Sequence, residues 1–143
     1  MLDFDYPQHY AGLVREINWS ITLPQTWCRF FEESGVLPSL PNDMRRSQRR
    51  AVRTFGLLRI DGTIPAISRS KALIGIYTKD FSKNAIGLIS PIQLYPGERL
   101  RLILPTCWLS LEVIRCRRHN STCYEVGAQL LHHHEPDEAA FAD

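Results

Sequence analysis

The chain has 143 residues, a formal net charge of +2, an apolar fraction of 44% and a charged fraction of 22%. These values are ordinary for a soluble globular protein, and the length suffices for one domain with its own hydrophobic core. Because no apolar run approaches the ~20 residues of a membrane span and no secretory signal is evident, we expect a cytoplasmic protein without a membrane segment.

The first 44 residues differ from the rest and predict a helical extension. Its first helix has an apolar stripe at helical spacing, formed by Tyr10, Leu13, Val14 and Ile17. A second helix is predicted to begin near Thr22, where residues 22–25 have capping-box spacing with a proline in the first turn, and to end at Gly35.

The predicted second helix has an aromatic face made by Trp27, Phe30 and Phe31. This face either docks a partner protein or packs against the rest of the chain, and we favour packing. Prolines and small polar residues at positions 37–43 then predict a linker.

An arginine cluster follows the linker directly. Positions 45–53 contain five arginines and no acid, namely Arg45, Arg46, Arg49, Arg50 and Arg53. Guanidinium groups match phosphate oxygens and the O6/N7 edge of guanine, so the cluster predicts a phosphorylated, guanine-bearing partner. The alternatives are a solvated basic hinge and a patch that contacts nucleic acid without specificity.

The remainder of the chain predicts short β-strands. Branched and aromatic residues, or alternation of apolar with polar ones, mark the segments 55–60, 72–78, 99–104, 109–113 and 124–130. Residues 95–98 have proline and glycine in the order of a type II turn. About six strands without intervening helices predict a mainly β fold, a small antiparallel barrel over residues 45–132.

No pattern in the sequence predicts catalysis or a metal site. The three histidines at 132–134 are adjacent and do not converge easily on one ion, so we expect residues 133–143 to be a disordered acidic tail. The four cysteines, Cys28, Cys107, Cys116 and Cys123, lack C-x-x-C spacing, which favours free thiols. With no nucleophile–base pair, we expect no enzyme activity and no cofactor.

A second candidate motif lies at the predicted end of one strand. Asp80 and Ser82 are two residues apart, so in extended backbone their side chains point the same way. A carboxylate accepts hydrogen bonds from guanine N1–H and N2–H2, and a hydroxyl can add a bond to phosphate or base. The alternative is a turn that merely closes a hairpin.

Together these stretches resemble the PilZ domain family, whose members carry R-x-x-x-R before the first strand and D/N-x-S-x-x-G at a later strand. Residues 80–82 fit the start of the second motif, and residues 124–130 resemble the family's last strand. The glycine position of the motif holds Ala85, which restricts backbone freedom and close approach.

The register of the first motif remains open. Arg46 with Arg50 fits it, with Arg45 completing a doublet, and we favour this register. Arg49 with Arg53 fits the pattern equally well, and Arg45 with Arg49 also fits.

The resemblance implies a six-stranded barrel that binds the bacterial second messenger cyclic di-GMP. It implies that Arg46 and Arg50 bind phosphate oxygens and guanine O6/N7 edges, while Asp80 and Ser82 contact the other guanine edge. The remaining arginines, Arg45, Arg49 and Arg53, would balance charge or bind a second ligand molecule.

Binding would be coupled to a conformational or partner-binding change, with a protein effector as a possible partner and the chain a monomer or homodimer. Two other functions stay open. One is a degenerate PilZ domain that binds only protein, and the other, less favoured, is a β-barrel that binds nucleic acid.

Overall fold

A computed structural model describes residues 4–32, 34–36 and 50–142. It contains one α-helix, α1, at Tyr6–Glu16. The strands are β1 Ser34–Val36, β2 Arg50–Val52, β3 Phe55–Gly62, β4 Ile74–Phe81, β5 Ala85–Ser90, β6 Arg99–Ile103, β7 Trp108–Asn120 and β8 Cys123–His134.

Six strands form a closed antiparallel barrel, as the alternating sequence pattern predicts. They pair in the order β4-β3-β6-β7-β8-β5, and the β4–β5 pairing closes the ring. Strand β2 pairs with the end of β4, and β1 pairs with β2. The fold is therefore mainly β, with a short helix at the amino-terminal side.

Alternation along each strand decides which side chains fill the barrel. On β6, Leu100 and Leu102 are buried while Arg99 and Arg101 face outward. The same alternation on the other strands supplies the rest of an apolar core of leucine, isoleucine and valine. The predicted turn at 95–98 is also present: Glu98 N–H donates to the Tyr95 carbonyl at 3.0 Å, and Gly97 has φ +93°.

Helix α1 packs on the barrel through the predicted apolar stripe. Asp5 caps its first turn by accepting from Gln8 N–H at 3.1 Å. The buried Tyr6 hydroxyl donates to the Leu104 carbonyl at 2.7 Å, and that of Tyr10 to the Phe55 carbonyl at 3.2 Å. Burial raises the pKa of Tyr10 to about 12, so this hydroxyl keeps its proton near neutral pH.

The predicted second helix is wrong. The segment forms two separate 3₁₀ turns, Gln25–Trp27 and Phe30–Glu32, and Gly35 lies in strand β1 instead of ending a helix. Packing explains the difference, because the two turns bring Trp27 of one against Phe30 of the other. Trp27 and Phe30 thereby stack with ring centroids 5.8 Å apart and pack with Ile89 and Cys123 on the barrel. The predicted linker, 37–43, lies outside the described residues.

The carboxyl-terminal segment also differs from the predicted disordered tail. Strand β8 continues through His134, whose ring stacks on Trp108 at 3.6 Å, and a 3₁₀ turn follows at Glu138–Phe141. Arg59 donates to the carbonyls of Phe141 and Ala142 at 3.2 and 2.7 Å. The polar composition predicts that this segment is solvated and mobile. Instead, its pairing with β7 and hydrogen bonds from Arg59 and Arg101 hold it on the barrel.

A buried carboxylate anchors the loop between β3 and β4. Glu98 has no exposed surface and accepts from both Arg69 Nε and Nη2, at 2.8 and 2.7 Å. It also accepts from Thr63 Oγ1 at 2.8 Å and from Tyr95 N–H at 2.7 Å. Burial alone would raise the pKa of Glu98, but these hydrogen bonds lower it below its ordinary value of 4.5.

We predict that Glu98→Gln lowers the free energy of unfolding by about 3 kcal/mol at pH 7, because it breaks a buried ion pair. A carboxyl group with a lowered pKa contributes stability above its ordinary pKa and loses it as pH falls through the folded value. The difference between wild type and variant should therefore shrink below about pH 4.

Urea unfolding at pH 7 and pH 3.5 measures this difference. Glu112→Gln is the matched control, because Glu112 pairs with Arg99 at 2.9 Å in a more exposed setting and should contribute at most about 1 kcal/mol. Equal losses for the two variants at pH 7 would contradict a special role for Glu98.

Candidate functional site

A row of four residues crosses the outer face of the barrel. Strand pairing places Asp80 of β4 opposite Gly87 of β5, Gly87 opposite Gly127 of β8, and Gly127 opposite Arg115 of β7. Paired residues project from the same face of a sheet, so these four lie side by side. The row has a carboxylate at one end, a guanidinium at the other, and two glycines between them.

The two glycines are required for space. A Cβ atom at Gly87 would lie 2.5 Å from Asp80 Oδ1, and one at Gly127 would lie 2.8 Å from Arg115 Nε. Neither glycine has a positive φ, so their backbone freedom is not what the site uses. The Asp80 and Arg115 side chains instead lie over the glycines, and a glycine inside a strand commonly marks such close approach.

A cavity of about 450 Å³ lies over this row. It is lined by Lys79, Asp80, Ser82, Asn84, Ala85, Ile86, Gly87, Ile114, Arg115, Glu125, Val126, Gly127 and Ala128. The structure thus brings Asp80 and Ser82 to one concave surface. Polar and charged side chains line part of this surface, which suits a ligand with hydrogen-bonding edges.

An ion-pair network lines the Asp80 end of the cavity. Lys79 Nζ lies 3.4 Å from Asp80 Oδ2 and 3.0 Å from Glu125 Oε2, and His119 Nε2 lies 2.8 Å from Glu125 Oε1. Burial alone would raise the pKa of Glu125, but the bonds from His119 and Lys79 lower it overall. Glu125 therefore stays ionised near neutral pH and orients Lys79 between two carboxylates.

Ser82 both closes a hairpin and lines the cavity. Its N–H donates to the Ala85 carbonyl at 2.9 Å, and its hydroxyl donates to the same oxygen at 3.3 Å. The backbone at Ala85 has no positive φ, so alanine fits the turn without strain. The absent glycine of the family motif is thus no obstacle to this backbone.

The arginine cluster is only partly within the described residues. Arg50 begins strand β2, where its backbone lies opposite Phe81 and the next residue, Ala51, lies opposite Asp80. Its side chain is exposed, and the pairing places it on the face of Phe81 and not on that of Asp80. Arg45, Arg46 and Arg49 lie outside the described residues.

Arg53 lies in a different place, over the Phe30 ring with its guanidinium carbon 4.4 Å from the centroid. It lines a second cleft of about 610 Å³ between the 3₁₀ turns and the barrel. The other lining residues of this cleft are Thr26, Trp27, Cys28, Arg29, Phe30, Lys79, Arg117, His119 and Glu125. Lys79 and Glu125 belong to both the cavity and the cleft.

Sequence reasoning missed Arg115, Lys79, Glu125 and the two glycines of the row. Gly87 and Gly127 carry a readable signal, since both interrupt strongly alternating strands. Nothing in the sequence distinguishes Arg115 from the arginines around it, because its place in the row depends on β7 pairing with β8.

Across the described ranges, no three His, Cys, Asp or Glu side chains are arranged to hold a metal ion. The only α-helix in those ranges has 11 residues and is too short to cross a membrane.

Comparison with known proteins identifies the family. The sequence matches the family model of the PilZ domain over residues 44–143, which includes the arginine cluster, the Asp80 motif and all six barrel strands. No curated protein and no solved structure gives a significant match. Since the matched region covers more than half of the chain and the barrel carries the motif at its surface cavity, the protein belongs to the PilZ domain family.

Proposed function

We propose that this protein is a receptor for cyclic di-GMP and binds it in the cavity over the Asp80–Arg115 row. The observation that carries the proposal is that Asp80 and Ser82, the two polar residues of the family motif, line one cavity with a glycine floor. Cyclic di-GMP is a bacterial second messenger, so the proposal implies a cytoplasmic bacterial receptor without catalytic activity.

The cavity offers complementary groups for a guanine. The two glycines leave room for the Asp80 and Arg115 side chains to lie over the strands, and both side chains line the cavity. Asp80 can accept from the N1–H and N2–H2 groups of guanine, and Ser82 can add a hydroxyl contact. Lys79 Nζ contacts Oδ2 of Asp80 at 3.4 Å, which supports an oriented carboxylate.

We assign the phosphates to arginines of the cluster and to Arg115. Arg50 lies on the strand that pairs with Asp80, and in our favoured register Arg46 acts with it on phosphate oxygens and guanine O6/N7. Arg115 at the opposite end adds a guanidinium that the family motifs do not include. We assign it to the phosphate or base edge on that side.

Ligand binding has a direct route to the amino-terminal extension. Strand β1 pairs only with β2 among the described strands, and β2 pairs with β4 at Asp80 and Phe81. Ligand contacts to Arg50 therefore act on the strand that carries β1 and the aromatic turns before it. A change there would be presented to a partner protein, which is how we propose that binding becomes a signal.

A protein-binding role has its own supporting observation. Phe31 and Phe55 are 43% and 47% exposed, and their rings lie 5.4 Å apart on the barrel surface. This aromatic pair is a candidate contact for an effector, whether or not the ligand site is functional. Nucleic-acid binding has less support, because the aromatic residues cluster with one another instead of following a basic groove.

Calorimetric titration tests the proposed ligand. We expect cyclic di-GMP to bind with a micromolar dissociation constant, about 8 kcal/mol, and GTP and cyclic GMP to bind more weakly. Asp80→Ala should weaken binding by about 1.5–3 kcal/mol, since it removes charge-assisted hydrogen bonds.

Asp61→Ala is the control for the loss of a carboxylate, because Asp61 pairs with Arg101 away from the cavity and should not affect affinity. If folded wild-type protein releases no heat of binding at an excess of cyclic di-GMP, the proposal is wrong and the protein-binding role is favoured.

Alanine substitution of the arginines tests the register of the first motif. Arg46→Ala and Arg50→Ala should each cost roughly 1.5–3 kcal/mol of binding free energy. If Arg49→Ala and Arg53→Ala abolish binding while Arg46→Ala has no effect, the alternative register is correct. The same titration with each single variant decides between them.

Ala85→Gly tests whether the departure from the motif weakens the site. Because alanine already fits the backbone there, glycine should lower the free energy of unfolding by about 0.5–1 kcal/mol and leave affinity unchanged. Thermal melting and titration measure the two quantities. Markedly tighter binding by the glycine variant would show instead that the Ala85 methyl group crowds the ligand.

A further inference from the structure

A series of polar contacts leads from His119 through Glu125 and Lys79 to Asp80. We infer that Glu125 is a positioning residue for the proposed ligand site, because it holds Lys79 back from a closer ion pair with Asp80. His119 in turn fixes Glu125 through a hydrogen bond. The inference rests on the proposed function, since it concerns the affinity for cyclic di-GMP, but its first step is measurable in the ligand-free protein.

Lys79 is shared unequally between two carboxylates. Its Nζ atom lies 3.0 Å from Glu125 Oε2 and 3.4 Å from Asp80 Oδ2. Charge-assisted hydrogen bonds from nitrogen to oxygen are normally about 2.7–2.9 Å long, so the contact with Glu125 is near this range and the contact with Asp80 is well outside it. The ammonium group is therefore held more closely by Glu125 than by Asp80.

Partial burial makes these charges effective. The side chains of Lys79, Glu125 and His119 are 21%, 27% and 17% exposed. Solvent ions screen such charges less than those on an open surface, so a change of partner for Lys79 changes the charge that a ligand meets at Asp80. Burial alone would raise the pKa of Glu125, but the hydrogen bonds from His119 and Lys79 lower it, which keeps this carboxylate ionised near neutral pH.

A bulge and an aromatic contact set the position of His119. The pairing of β7 with β8 shifts register between Arg118 and Asn120, and His119 lies within this bulge. Bulges redirect side chains, and here His119 Nε2 lies 2.8 Å from Glu125 Oε1. The Trp27 ring makes a T-shaped contact with the imidazole, with centroids 4.7 Å apart. Contacts on two sides thus hold the group that orients Glu125.

The role of Glu125 follows from competition for one cation. A guanine bound at Asp80 would donate hydrogen bonds to its carboxylate oxygens. A closer ammonium group would occupy one of those oxygens and reduce the negative charge that attracts the donors. Because Glu125 draws Lys79 away from this position, the loss of the Glu125 charge should weaken binding through Lys79.

Carbon-13 NMR of the ligand-free protein tests the first step. Glu125→Gln should shift the Asp80 carboxylate resonance, which Asp80→Asn identifies, because Lys79 then moves toward Asp80. In a Lys79→Met background the same substitution should leave the resonance in place. Glu112→Gln is the matched control, since Glu112 pairs with Arg99 at 2.9 Å and does not line the cavity. An Asp80 resonance that does not respond to Glu125→Gln would overturn the inference.

A double-mutant cycle with cyclic di-GMP tests the effect on affinity. Glu125→Gln should weaken binding about tenfold, the effect of one impaired charge-assisted hydrogen bond. In the Lys79→Met background it should change the affinity less than about twofold, because no ammonium group is left to move. A tenfold loss that persists without Lys79 would show that Glu125 contacts the ligand itself, and its positioning role would be wrong.

Two substitutions of His119 separate its hydrogen bond from its packing. His119→Gln retains an N–H donor and should bind cyclic di-GMP nearly as tightly as wild type. His119→Phe retains a ring against Trp27 but has no donor for Glu125, so it should bind several-fold more weakly. Thermal melting confirms that each variant is folded at the temperature of the titration. Equal affinities of the two variants would contradict the role of His119.

These measurements distinguish failure of the inference from failure of the proposed function. If wild type binds cyclic di-GMP and the effects of Glu125→Gln and Lys79→Met are additive, the proposed function stands and this inference fails. If wild type binds no cyclic di-GMP while Glu125→Gln still shifts the Asp80 resonance through Lys79, the restraint on Lys79 stands and the proposed function fails.

Discussion

The pairing of β8 with two different strands is the interaction on which the site depends. Strand β8 pairs with β5 on one side and β7 on the other, and β4 then pairs with β5 to close the barrel. This continuous ladder sets Asp80, Gly87, Gly127 and Arg115 in one row. A slip of one residue in any pairing would turn a member of the row toward the core. The buried leucines and isoleucines that fix the register therefore also fix the site.

The cavity and the cleft are coupled through a small set of charges. Lys79 stands between Asp80 and Glu125, and Glu125 in turn contacts His119 beside Trp27. Any ligand group that competes with Lys79 for Asp80 changes the electrostatic balance at Glu125. Lys79 and Glu125 line both the cavity and the cleft, so the two concave surfaces share charged side chains. Trp27 of the 3₁₀ turns contacts His119 at the end of this network, and the second turn carries the exposed Phe31.

The wrong predictions have a common physical origin. The aromatic residues at 27–31 have helical spacing, but the contacts of their rings with Tyr77 and the barrel stabilise the segment more than a short isolated helix would. The histidine-rich end has the composition of a solvated tail, yet β7 offers it a strand partner and Arg59 and Arg101 bind its last carbonyls. In both segments, contacts between distant parts of the chain outweigh the local preference.

The sequence alone determined the barrel and the family, because strand alternation and the order of two short motifs are local properties. It also identified Asp80 and Ser82 as candidate ligand contacts, because side chains two residues apart in extended backbone point the same way. Only the tertiary structure decided the rest. It placed Arg115 and Asp80 at the two ends of one row with two glycines between them, and it placed Arg53 in a separate cleft. These positions follow from strand register and barrel closure, which join residues far apart in the chain and leave no local mark in the sequence.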